Sequence, residues 1–104
     1  MAFVVRRVFL GKVGMSDQLV THVKEVDNIL QQQGVNIKRR TLTDHQSGRT
    51  DRVVVEWEVN DLREFEEAMG RLMSNPESKQ AFSTWMVKLS DMIHYAEVET
   101  WAIQ

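Results

Sequence analysis

The 104-residue chain predicts an α+β domain with the element order β-α-β-β-α(α)-β. Three observations predict it: four stretches read as strands, the third and fourth of them by alternation, apolar residues recur at helical spacing between those stretches, and the single proline stands at a helix start. This is the ferredoxin-like order, a four-stranded antiparallel sheet with its helices on one face.

Phe3 to Lys12 reads as the first strand, rich in β-branched and aromatic residues and ending at Gly11 and Gly14. Leu19, Val23, Val26 and Leu30, flanked by Val20 and Ile29, form the stripe of a helix over Ser16–Gln33, with Ser16 or Asp17 as its cap and Gly34 as its left-handed stop. Val35–Asp44 and Arg52–Val59 are the next two strands, joined by a polar hairpin at 45–51 with Gly48 near its middle. In the second of these, Val53, Val55, Trp57 and Val59 point one way while Val54, Glu56 and Glu58 point the other.

Asp61 followed by Glu64 is a capping-box start, and Leu62, Phe65, Met69 and Leu72 continue at helical spacing. Asn75-Pro76 opens another helix with Phe82, Trp85, Met86, Leu89 and Ile93 as its apolar set. His94–Ile103 closes the sheet, with Tyr95, Glu97, Glu99, Trp101 and Ile103 on one side and Ala96, Val98, Thr100 and Ala102 on the other.

Residues 1–104 are expected to form a single domain. With 13 Lys+Arg against 15 Asp+Glu, the chain has no cationic excess for nucleic acid. It lacks cysteine, which removes thiolate nucleophiles and thiolate metal sites. No apolar run approaches the roughly 20 residues of a membrane span, and no export signal is apparent, so no membrane partner and a cytoplasmic location are expected. A sheet with helices on one face leaves the other uncovered, yet Val4, Val8, Leu10 and Val54 still occupy that second face. The expected partner is a second copy, the two sheets closing face to face into a homodimeric α/β barrel.

Arg6, Lys38, Arg40, Glu56 and Glu58 are expected on the non-helical face, as a salt-bridged interface or as a seat for a small polar ligand. A one-residue slip of the second strand would replace Lys38 and Arg40 by Arg39. His22 sits beside the first helix's apolar stripe, either as an acid/base group or as a boundary side chain. His94, with Asp91 and Tyr95, reads as a proton-handling cluster or a plain helix-to-strand junction. His45 is expected to be solvated. The histidines lack metal-ligand spacing, so no metal and no cofactor are expected. Trp57 and Trp85 should face one interior, as core or as pocket wall, and Trp101 falls in the core or at the dimer seam.

The stretches Gly48-Arg49-Thr50-Asp51-Arg52-Val53-Val54-Val55-Glu56-Trp57-Glu58-Val59, Leu62-Arg63-Glu64-Phe65-Glu66 and Asn75-Pro76-Glu77 resemble the NIPSNAP-like, antibiotic-biosynthesis-monooxygenase-like branch of the dimeric α/β-barrel proteins. The resemblance implies a homodimeric barrel that binds a small molecule in the sheet–helix cavity. Alternatively, it implies a cofactor-independent monooxygenase or isomerase acting on an aromatic or polyketide-like substrate, with Trp57, Arg6, Tyr95 and Asn36 as the available positioning residues. A third alternative is a pure assembly module. Haem-degrading members carry a histidine on the helix matching residues 76–90, and this chain has none there.

Overall fold

The strand with apolar residues on both faces takes a central place in the sheet. In the computed structural model, which describes residues 1–45 and 50–104, β1 (Phe3–Gly11) pairs antiparallel with both β3 (Arg52–Val59) and β4 (Ile93–Ala102). β2 (Lys38–Thr43) completes the order β2-β3-β1-β4. The helices α1 (Ser16–Gln32), α2 (Leu62–Ser74) and α3 (Pro76–Met92) cover one face, giving the ferredoxin-like α+β fold. Gly48 lies outside the described residues.

Core packing sorts the pleat. Val5 and Phe9 of β1 and Val53, Val55 and Trp57 of β3 are buried against Leu19, Val23, Val26 and Leu30 of α1, Leu72 of α2, and Trp85 and Leu89 of α3. Val4, Arg6, Val8 and Leu10 therefore face away from the helices. β2 pairs Lys38 with Glu58 and Arg40 with Glu56, so its register puts Lys38 and Arg40 on the outer face and Arg39 opposite Trp57 on the inner one.

Three local expectations are corrected. β2 starts at Lys38 and not at Val35, because the Val35 N–H donates to Leu30 O (3.0 Å) in the turn that ends α1 and cannot join the ladder. β4 begins one residue earlier, at Ile93. Neither Ser16 nor Asp17 caps α1, whose N-cap is Met15 without a side-chain bond. The cap comes from across the fold: Asp51 Oδ1 accepts the Ser16 N–H at 3.1 Å. Asp51 adopts a left-handed φ of 63°, and its carbonyl accepts the Gly11 N–H at 2.8 Å. A Cβ on Gly11 would stand 2.6 Å from that carbonyl, so glycine is required by close approach.

The other caps follow the sequence. Gly34 has φ 70° after α1, Asp61 and Glu64 form a reciprocal capping box on α2, and Asn75 accepts the N–H groups of Glu77 and Ser78 ahead of Pro76.

Two of these capping carboxylates tie stability to pH. Asp51 is held below the usual carboxylate range chiefly by the Gly14 N–H, and Asp61 by the Arg63 N–H. A depressed folded-state pKa means stabilisation that is complete above the unfolded value, about 4, and lost as pH falls through the folded value. Melting temperature should fall steadily from about pH 4 downward. In Asp51→Asn, thermal melts followed by circular dichroism should give a shallower decline.

Candidate functional site

A cavity of about 160 Å³ lies between the sheet and the helices. Arg7, Phe9, Val55 and Trp57 form its floor, Phe65 and Met69 of α2 and Phe82, Met86 and Leu89 of α3 its opposite wall. This lining is almost wholly apolar, and among the described residues it includes no aspartate, glutamate or histidine. Phe65 lies against Trp57 with ring centroids 5.5 Å apart at 58°, and Phe82 stacks on Trp85 at 5.6 Å.

The nitrogens of the cavity lining are donors. Arg39, whose side chain is 8% exposed, carries its guanidinium 5.4 Å from the centre of the Trp57 ring. That guanidinium donates to the Asp27 carboxylate and to the Val23 carbonyl, which ties β2 to α1. Burial pulls the Arg39 pKa below the usual arginine value, and Asp27 acts in the opposite sense. Arg39 Nε and Trp57 Nε1 are both buried without a hydrogen-bond partner. Buried donors of this kind are uncommon in folded proteins, and two of them belong to residues lining one cavity.

His22 and Trp85 have a different role. His22 Nε2–H donates to the Trp85 carbonyl (2.8 Å), Trp85 Nε1–H donates to the His22 carbonyl (2.6 Å), and the rings stack at 4.9 Å and 8°. The carbonyl acceptor fixes the Nε2–H tautomer. This reciprocal pair clamps α1 to α3, so His22 serves the helix layer and is not among the cavity's lining residues. Trp85 serves both, since its ring also lines the cavity.

The remaining candidates lie elsewhere. Arg6, Arg40 and Glu56 form a row across the outer face with Glu99. Arg40 Nε is 2.6 Å from Glu56 Oε1, Arg6 Nε is 2.9 Å from Glu56 Oε2, and Arg6 NH1 is 3.1 Å from Glu99 Oε1. Arg6 and Trp57 therefore stand on opposite sides of the sheet, and a single pocket lined by Trp57, Arg6 and a histidine does not form. His94 and Tyr95 are exposed neighbours at the start of β4 and do not converge with Asp91 into a site in the cavity. Asn36 is exposed beyond the end of α1, and Trp101, also exposed, donates from Nε1 to Glu99 at 2.9 Å. Among the described residues, no group of three His, Cys, Asp or Glu side chains is arranged for a metal ion. No helix among them is long and apolar enough to cross a membrane.

Sequence reasoning passed over Arg7 and named Arg39 only as an outer-face alternative. Arg7 was visible as the one charge in the inner series Phe3, Val5, Arg7, Phe9, whereas Arg39 depended on a register that only pairing with β3 sets.

Fold and cavity together define a ferredoxin-like α+β protein with an apolar sheet–helix pocket. Solved structures of NIPSNAP family proteins share that fold. One from Agrobacterium tumefaciens superposes with a TM-score of 0.74 at 18% identity, covering 100% of this chain and 94% of its own. The cofactor-independent oxygenase SnoaB from Streptomyces nogalater gives 0.69 at 12% identity, covering 99% and 93%. A dimeric ferredoxin-like protein of unknown function from Bacteroides fragilis gives 0.66 at 13%, covering 98% and 96%. No protein-family model matches the chain, and no curated protein matches it by sequence.

The clamp between α1 and α3 has a measurable worth. Trp85→Phe keeps an aromatic ring but removes the indole N–H that ties α3 to the His22 carbonyl, and it also shrinks a buried side chain. It should lower unfolding free energy by about 1–3 kcal/mol in urea titrations. A loss below about 0.5 kcal/mol would show that the reciprocal bonds contribute little.

Proposed function

We propose that this chain is a small-molecule-binding domain whose ligand occupies the sheet–helix cavity, and that it works as a homodimer closed over the outer face of the sheet. One observation carries the binding reading: Trp57 Nε1–H, buried and unpartnered, belongs to the floor of an apolar cavity of about 160 Å³. Ligand sites are commonly apolar clefts with a few polar groups that fix orientation. An apolar hole of roughly 150 Å³ takes a single six-membered ring.

The dimer rests on the outer face. Val4, Leu10 and Val54 are half-buried there, and Leu42, Tyr95 and Trp101 are exposed. The row Arg40–Glu56–Arg6–Glu99 carries two charges of each sign and neutralises itself, which lowers the cost of covering it. The dimeric Bacteroides neighbour is consistent with this arrangement.

A cofactor-independent oxygenase or isomerase acting on an aromatic or polyketide-like substrate is the second reading. It is favoured by the Trp57 donor, which suits a substrate carbonyl, and by the SnoaB likeness. Against it, the cavity lining offers no histidine or carboxylate for proton transfer. An assembly module without a ligand is the remaining alternative, and a cavity that admits no probe would favour it.

Neutral toluene is a suitable probe. Titrated into the ¹⁵N-labelled protein, it should shift the Trp57 indole signal and leave that of exposed Trp101 in place. Ser90→Phe, at an exposed position on the cavity lining, should abolish the shift without lowering the melting temperature. An unmoved Trp57 signal in the unsubstituted protein rejects the binding reading. For the dimer, light scattering at micromolar concentration should give twice the chain mass, and Leu42→Lys on the outer face should shift it toward the monomer. A monomeric parent protein rejects the homodimer.

A further inference from the structure

The charge of the cavity is one-sided. Arg7 projects from the inner face of β1 between Val5 and Phe9, opposite Val55 on β3 and Val98 on β4. It lines the cavity and is half-buried, and among the described residues its side chain makes no hydrogen bond or ion pair. The second cation of the lining, Arg39, already has Asp27. No carboxylate from the sheet or the helices lines the cavity to neutralise Arg7. A partly desolvated guanidinium without a counter-ion is unfavourable, and an anion entering the cavity would relieve it.

The position of Arg7 suits a shared ligand group. Val55 is the direct partner of Arg7, and Trp57 lies two residues further along the same face of β3. Diagonal neighbours on adjacent strands have their Cα atoms about 7–8 Å apart, within joint reach of two long side chains. A guanidinium fork matches the two oxygens of a carboxylate, and an indole N–H needs one acceptor.

We infer that the cavity takes a small carboxylic acid, with a single aromatic ring or compact aliphatic body against Phe65, Met69, Phe82 and Leu89, and its carboxylate held by Arg7 within reach of Trp57 Nε1–H. This assignment rests on the cavity-binding reading and adds the chemical class of the ligand and the residue that selects it. No covalent step is involved.

Benzoate and benzamide test it, because they are nearly the same size and differ in charge. Each is titrated into the full-length chain while the Trp57 indole signal is followed. Benzoate should bind about tenfold tighter than benzamide, the scale of a charge-assisted hydrogen bond. Arg7→Met should erase that preference while toluene still binds, and Arg7→Lys should keep most of it. Equal affinities in the parent protein, or a benzoate preference that survives in Arg7→Met, overturn the anion assignment alone if toluene binds. If neither toluene nor either acid derivative moves the signal, the cavity reading fails and the assignment fails with it.

Discussion

The pleat of β1 is the constraint on which the rest of the molecule depends. Arg6 and Arg7 are adjacent in the chain and lie on opposite sides of the sheet, because successive side chains of a strand alternate. Val5 and Phe9, buried under the helices, and Gly11, pressed against the Asp51 carbonyl, hold that strand in one register. A slip of one residue would send Arg6 into the apolar cavity and take Arg7 out of it. β1 also pairs on both edges, so its choice of face propagates to β3 and β4 and, through β3, to β2.

The two faces handle charge in opposite ways. On the outer face, arginines and glutamates meet across four strands and cancel. On the inner face, Arg39 is neutralised by Asp27 of α1, while the Arg7 side chain and the Trp57 indole N–H have no partner among the described residues around an apolar hollow. Incomplete satisfaction in an otherwise well-packed core marks a place where packing alone does not account for the residues present.

Polar cross-ties join the layers on either side of the hollow. The reciprocal His22–Trp85 bonds join α1 to α3, and the Arg39 contacts with Asp27 and Val23 join α1 to β2. Such bonds favour one spacing between the layers, and buried partners are costly to separate. Met69 and Met86 give the opposite wall adaptable side chains. A rigid frame with a compliant wall fits the binding role proposed for the cavity.

Local periodicity alone determined the element order, the inner and outer faces of β1 and β3, the capping box at Asp61 and the start of α3 at Asn75-Pro76. These depend on residues within a turn or two of one another, so a single stretch of chain carries the whole signal. The tertiary structure decided the rest. It set the β2 register, replaced the expected Ser16 or Asp17 cap by Asp51 from the far end of the hairpin, made His22 half of a helix clamp, and separated Arg6 from Trp57. Each of these is a contact between segments distant in sequence, whose energy depends on how layers dock. The pattern within one segment holds no record of that docking.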